Sequence, residues 1–449
     1  MSEIKVSVVM PSKNVKKYIR ECVESVINQT LPNIEIICVD AFSTDGTREI
    51  IEEYANRDSR VILLDDTQGS CGYAYNIGIE KASGKYIGFV ETDDYIKNDM
   101  FEKLYNVAEE YNLDYVKGNH TRFVSIGEEK YFEEERVFRM PGYEKLYGTI
   151  IDVSNHPEVN WFDHCMWNGI YKKDFLVKKG VKLNESKGAS YQDHGFQWQT
   201  MLRAQRAMYL DSSFYYYRID NENASMKNLN GLEKDYNEFV FVKNILENTP
   251  TIMPEHWMIY YDKMFFTIRR WIEMLANKGI DVSERQLQII DNWISDIRKG
   301  YDAGYVSPKL IGIHEYRELM MLINDAEAYK SYLIYSIKVL DQYLTTLIGE
   351  LTGKSIVIFS AGKFGRILYA YAQKNNISVE CFCDNKASNG MKCMGIDVIS
   401  PQEAVKKYQD AFFVIANQVN FMDCMRQLIE LGVKRDQIGY YEVTDRELV

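Results

Sequence analysis

The sequence predicts an α/β fold with a mostly parallel, doubly wound sheet, followed by a helical middle region and a smaller α/β unit. Short apolar runs alternate with stretches of helical periodicity from residue 4 to residue 90, and the same alternation returns after about residue 353. From about 231 to 350 the pattern is helical and rich in aromatics.

Residues 4–10 (IKVSVVM) read as a strand that stops at Pro11. Val15, Tyr18, Ile19, Cys22, Val23, Val26 and Ile27 recur at the spacing of one helical face. Residues 34–39 (IEIICV) form a second buried strand with Asp40 at its end, and a helix over 46–56, a strand at 61–64, a helix over 72–82 and a strand at 85–90 follow. In such sheets ligands bind outside the carboxyl ends of the strands, and Pro11, Asp40 and the cluster Glu91-Thr92-Asp93-Asp94 all fall on that edge.

The acidic cluster carries the first chemical suggestion. A buried strand ending in clustered carboxylates delivers hard oxygen ligands to one point, where a divalent cation relieves their repulsion and can clamp a diphosphate. A solvated loop is the alternative.

The chain has 449 residues, too many for one ordinary core, and the expected domains are 1–230, 231–352 and 353–449. Apolar residues are 46% and Pro is scarce, which excludes wholesale disorder. A formal charge of −12 argues against nucleic acid as the main partner. The 8 cysteines lack the spacing of a disulfide framework or zinc site, and Cys381 and Cys383 read as core positions on one strand face. The N-terminus lacks the parts of a signal peptide, and no apolar stretch reaches the roughly 18 to 20 residues that span a bilayer. A cytosolic location with reduced thiols is therefore expected. The segment from Trp257 to Trp271, with Arg269 and Arg270, reads as the core of a helical region. A helix lying in a membrane surface is the alternative, and would suit peripheral attachment and a lipid-linked acceptor.

VSVVMPSKNVKKYIRECVESVINQT (6–30), VDAFSTDGT (39–47), GYAYNIGIEKASGKYIGFVETDDYI (72–96), WNGIYKKDFL (167–176), YQDHGFQW (191–198) and YYYRIDNENAS (215–225) stand in the order of a known set of motifs. Through them the first half of the chain resembles the bacterial family 2 glycosyltransferases. The resemblance implies a GT-A fold, a nucleotide-sugar donor that is most often UDP-linked, inversion at the anomeric carbon, and Mn²⁺ or Mg²⁺ as cofactor. By the same resemblance Pro11 and Asn14 lie beside the base, and Asp40 accepts a hydrogen bond from uracil N3. Ser43 shares that turn, with helix capping the alternative for Ser43, Thr44 and Asp45. Asp93 and Asp94 resemble the metal-binding pair, while Glu91, where many members have Asp, leaves open which carboxylates hold the ion.

Asp193, in the pair Gln192-Asp193, resembles the general base, a helix-terminal acid being the alternative. Arg218 resembles a pyrophosphate-binding cation, with a surface ion pair to Asp220 as the alternative. Asn76 matches a donor-binding Asn, although Tyr75 stands where many members have Arg. His194 reads as an acceptor or structural contact. Trp167 and Trp198 are candidate acceptor platforms, core packing being the alternative.

A stripe from Tyr329 to Leu351 predicts a long helix that Gly353 could end. A strand at 355–359, the turn Ser360-Ala361-Gly362-Lys363-Phe364-Gly365, a helix to about 374, a strand at 378–383 ending at Asp384, and a further strand and helix near 411–431 describe a small Rossmann-like domain. Ser360 replaces the first Gly of a dinucleotide fingerprint, so scaffolding or homo-oligomer contact is expected ahead of a bound nucleotide-sugar, and both ahead of NAD.

The expected function is transfer of a sugar from a nucleotide-sugar to a hydroxyl of a bacterial surface polysaccharide or its lipid-linked precursor. One alternative is a decayed nucleotide-sugar-binding scaffold, against which the joint presence of Asp40, Asp93, Asp94 and Asp193 argues. The other is a sugar-modifying enzyme acting through the C-terminal domain, which lacks a complete glycine fingerprint.

Overall fold

A computed structural model of the chain describes residues 3–126, 129–189, 191–221, 231–277, 283–331, 347, 349–417 and 421–441. Contacts divide the chain into two units, Met1–Arg269 with Asp281–Ile323 and Arg270–Ile280 with Asn324–Val449.

In the first unit β1 (Val6–Ser12), β2 (Ile34–Asp40), β3 (Val61–Asp65) and β4 (Tyr86–Phe89) alternate with α1 (Ile19–Ile27), α2 (Thr47–Arg57) and α3 (Cys71–Lys81). β1 pairs in parallel with β2 and β4, and β2 with β3. A parallel sheet carries its crossover helices on its faces, so its strands are apolar on both sides, and every residue of β2 and β4 is buried. β1 runs past the expected stop at Pro11 to Ser12. Its ladder to β4 covers only Val6 to Val9, so no acceptor there is left wanting a Pro11 N–H, and the Pro11 carbonyl takes the Thr92 hydroxyl at 2.8 Å.

Past β4 the sheet changes direction. β8 (Gly169–Lys172) runs antiparallel to β4 and to β6 (Tyr115–Ile126), β9 (Ala207–Arg218) runs parallel to β6, and β5 (Tyr95–Ile96) antiparallel to β9. β7 (Glu129–Glu135) pairs with β6, and the strand order is β3-β2-β1-β4-β8-β6-β9-β5. The β6–β9 register slips on both sides of Asn119, which re-aims the end of β9 so that Tyr215 and Tyr216 pair with β5, just after the acidic cluster.

The remaining helices of this unit include α4 (Met100–Glu110), α5 (Glu158–Phe162), α6 (Lys173–Lys179), α7 (Gln192–Arg203), α8 (Leu232–Glu247), α9 (Pro254–Asn277) and α10 (Glu284–Asp302), with α9 running on beyond the division at Arg269. α7 packs closely on α8, and Gly195 makes that possible: a Cβ there would stand 2.6 Å from Glu238 Oε1 and 2.5 Å from the Phe241 ring. Ile259, Tyr260, Met264, Phe265 and Ile268 are buried, so this part of the aromatic stretch packs as core. Among the described residues no helix is long and apolar enough to cross a membrane.

The second unit carries β10 (Ser355–Phe359), β11 (Ser378–Cys383), β12 (Lys392–Cys393), β13 (Ile396–Ile399), β14 (Phe412–Ile415) and β15 (Ile438–Tyr440) in the order β12-β13-β11-β10-β14-β15. Only the β12–β13 pair is antiparallel. Helices at Lys363–Lys374, Pro401–Lys407 and Phe421–Glu430 complete it. Cys381 and Cys383 lie in one core cluster, and all eight cysteines are free. Most of the stripe from Tyr329 to Leu351 lies outside the described residues.

Candidate active site

The ends of β1 and β2 are laced together. Asn14, in the left-handed region at φ 53°, donates its N–H to Ser43 Oγ and accepts the Thr44 N–H on Oδ1, both at 2.9 Å. Ser43 donates its hydroxyl to Asp40 Oδ1 at 2.6 Å and its N–H to Oδ2 at 2.9 Å. Ser12 Oγ adds a bond to Oδ1 at 3.2 Å, and Arg48 stands 3.5 Å from Oδ2. Asp40 is 0% exposed, so the carboxylate expected to read uracil is engaged by its own turn, whereas Asn14 is exposed. Asp45 takes the helix-start role, accepting from the Thr47 N–H at 3.0 Å and the Lys16 N–H at 3.0 Å.

Glu91, Asp93 and Asp94 follow β4, and one carboxylate oxygen from each lies within 4.8 Å of the others. Burial, reinforced by Asp93 and Asp193, raises the Glu91 carboxyl to about 8. Burial, then the charges of Asp93 and Glu91, push Asp94 well above the usual carboxylate range. Three hard oxygen donors this close, with two carboxyls resisting ionisation, fit a Mg²⁺ or Mn²⁺ ion that would supply the missing positive charge.

The trio is held from behind. Tyr215 Oη accepts the Glu91 N–H at 3.0 Å and donates to Asp94 Oδ2 at 2.9 Å. The Arg218 N–H donates to Asp94 Oδ1 at 2.7 Å, and Asn221 Nδ2 to Asp93 Oδ2 at 2.8 Å. The Arg218 guanidinium is 6% exposed; it donates to the Asp93 carbonyl at 2.8 Å and to Glu21 Oε2 at 2.9 Å, with Asp220 at 3.5 Å. The expected pyrophosphate cation is thus a buried brace for the acidic turn, because a backbone carbonyl and a carboxylate claim its donors. Tyr215, Asn221 and Glu21 were not foreseen. The one signal was the alternation that sets Tyr215 and Tyr217 on the same strand face.

Asp193 sits half-buried in the first turn of α7. Its charge reaches Glu91, so the base candidate lies near the acidic turn. Behind it Glu238 accepts the Gly195 N–H at 3.1 Å and Asn184 Nδ2 at 2.9 Å, and burial, with Asp193 adding, raises Glu238 to about 8. His194 Nδ1 stands 4.0 Å from Asp235. Asn76 does not stand free for a donor: it donates to the Leu183 carbonyl and to Glu185 and accepts the Leu183 N–H, each at 2.9 Å, pinning that segment. Tyr75 is buried, its ring 5.3 Å from Phe89. Trp167 is stacked on Tyr215 and Tyr217 at 4.2 and 5.3 Å, and Trp198 packs near Tyr260. With 6% and 3% exposure both rings serve as core and not as a sugar platform.

Comparison with known proteins decides the family. The sequence model described as Glycosyl transferase family 2 matches residues 7–167. The uncharacterized glycosyltransferase YibD of Escherichia coli (strain K12) is 32% identical over 302 residues, covering 66% of this chain and 86% of that protein. The chain belongs to glycosyl transferase family 2. The stretch matched to family 2 holds Asp40, Glu91, Asp93 and Asp94, while Asp193 and Arg218 lie beyond it. The uncharacterized glycosyltransferase EpsJ of Bacillus subtilis (strain 168) is 31% identical over 223 residues, 49% of this chain and 62% of that protein, so the chain spans less than two thirds of EpsJ. The structure of S. aureus TarS 1–349 in complex with UDP-GlcNAc resembles this family 2 chain in fold, with a TM-score of 0.55 at 19% identity over 76% of this chain and 92% of that one. A second model, C2185-like, N-terminal, matches residues 352–439.

Proposed function

We propose that this chain transfers a sugar from a nucleotide-activated donor, UDP-linked, to a hydroxyl of a bacterial surface polysaccharide or its lipid-linked precursor, inverting the anomeric carbon. The observation that carries this reading is the carboxylate trio that follows β4, with Asp193 of α7 near enough for its charge to act on Glu91. A fold shared with a protein crystallised with UDP-GlcNAc supports the choice of donor.

Glu91, Asp93 and Asp94 would hold a Mg²⁺ or Mn²⁺ ion, which when bound would offset, as a Lewis acid, the charge that builds on the departing diphosphate. Tyr215, Arg218 and Asn221 hold the Asp93 and Asp94 carboxylates and the Glu91 backbone in place beforehand, so little reorganisation is needed at the moment of reaction. Pro11, Asn14 and Ser43 line the end where the base would lie. The Asp193 carboxylate takes the proton of the acceptor hydroxyl as that oxygen bonds to the anomeric carbon. On the opposite face the bond from that carbon to the β-phosphate oxygen breaks, and its electron pair leaves with the nucleoside diphosphate.

Thermal melts with Mn²⁺ and saturating UDP, GDP or ADP test the donor, since a ligand that binds only the native state raises its stability. UDP should give the largest rise, and the rise should vanish with EDTA, as should donor hydrolysis. Equal rises for the three nucleotides would overturn the uridine assignment, and hydrolysis that survives EDTA would overturn the ion.

A further inference from the structure

A lysine of α9 stands where the charge of Asp193 reaches it. Lys263 of α9 donates to Asn160 Oδ1 of α5 at 3.0 Å and lies 5.8 Å from the Trp198 ring centre; among the described residues no carboxylate pairs with it. Asn160 is 2% exposed, and among the described residues its Nδ2 has no acceptor. A buried donor left unpaired is costly, and because Oδ1 faces the ammonium the amide orientation is set. His164 is solvent-exposed and, among the described residues, without a hydrogen-bond partner. The positive charges of Lys263, Arg139 and His194 reach its ring and favour the neutral form. Burial lowers Lys263 to about 8, with Asp163 and Asp193 opposing and Lys117 adding to the fall.

Two neighbouring carboxylates, Asp163 and Glu135, are already matched. Asp163 accepts from Lys117 Nζ at 2.6 Å and from Tyr209 at 2.8 Å, and Glu135 pairs with Arg122 at 2.6 Å and Arg139 at 2.9 Å. Among the described residues Lys263 thus has no paired carboxylate, the His164 ring no hydrogen-bond partner and Asn160 Nδ2 no acceptor.

We infer that Lys263, His164 and the Asn160 amide form a subsite for an anionic group, a phosphate or a carboxylate, carried by the acceptor. The word acceptor rests on the transferase reading above; the anion subsite does not. An anionic oxygen supplies what all three groups lack, whereas a neutral sugar hydroxyl would leave Lys263 without a counter-charge. Asp193 has the same sign as such a ligand. The anion must then bind at the Lys263 end of the cleft, leaving the reacting hydroxyl to the Asp193 end.

The test uses the full chain labelled with ¹⁵N-histidine and saturated with Mg²⁺ and UDP, titrated with inorganic phosphate and, separately, with glucuronate. The His164 ring signals, identified by their loss in His164→Gln, should shift with at least one anion, and Lys263→Met should weaken that binding about tenfold or more without changing UDP affinity. A response to phosphate alone assigns a phosphorylated acceptor, and one to glucuronate alone a uronate. Silence of His164 toward both anions, or equal affinity in Lys263→Met and the parent, overturns the subsite. Should Lys263→Met fold poorly, His164→Gln, at an exposed position, is read by calorimetry for the same loss of anion binding. Anion binding as described in a protein that turns over no donor would sink the transferase reading and support the subsite.

Discussion

Tyr215 donates its phenolic hydrogen to Asp94 Oδ2 at 2.9 Å while its oxygen accepts the Glu91 N–H at 3.0 Å. One hydroxyl from the end of β9 thus ties both flanks of the acidic trio that follows β4. Tyr215→Phe keeps the ring that stacks 4.2 Å from Trp167 and removes only this bridge. Two buried polar groups then lose a partner, and the expected loss of stability is about 1–3 kcal/mol. Groups that orient metal ligands matter nearly as much as the ligands, so Mn²⁺ affinity should fall roughly tenfold or more. Chemical denaturation and a Mn²⁺ titration check the two effects; if neither moves, the hydroxyl does not position the trio.

Asp193→Asn addresses the chemical step. The variant keeps the shape of the side chain and its place in the first turn of α7 but cannot take a proton. A base acts on the acceptor in the transition state and contributes little to donor affinity. UDP binding should stay near normal while the transfer rate falls roughly a hundredfold or more. An unchanged rate would reduce Asp193 to a helix-terminal acid, and loss of UDP binding in a folded variant would move its role to the donor.

The edge of the sheet was legible because each apolar run is followed by the residues that matter: Pro11 after one, Asp40 after the next, the acidic cluster after the fourth. Strand identity and chemical identity coincide there. What became of the side chains at that edge was less legible. Arg218 advertises a cation, but only the register slip around Asn119 brings it where Glu21 and the Asp93 carbonyl take its donors. Asp40 advertises a carboxylate, yet its oxygens are committed to Ser12 and Ser43 by hydrogen bonds that no spacing rule reveals. Trp167 and Trp198 show the same limit from the apolar side, since a large ring carries the same letters whether it lines a cleft or fills a core. Lys263 and Asn160 meet from helices remote in sequence, and neither stood in a motif.

Asp262, next to Lys263 on α9, supplies a prediction about pH. It is 0% exposed, and among the described residues neither carboxyl oxygen has a hydrogen-bond partner. Burial raises its carboxyl to about 8. The unfolded chain ionises this group near the ordinary value of about 3.9, whereas the folded chain keeps the proton until about pH 8. Between those two values the native state binds the extra proton, so stability must fall as pH rises, and the fall levels off above the folded value. Asp262→Asn cannot ionise in either state and loses this slope, whatever fixed cost its amide brings. Between pH 5 and pH 8 the parent should therefore lose about 2–4 kcal/mol more stability than the variant, the upper figure being three pH units at full linkage. Urea denaturation of both proteins across that range gives the comparison directly, and parallel stability curves would show that Asp262 ionises in the folded protein much as it does in water.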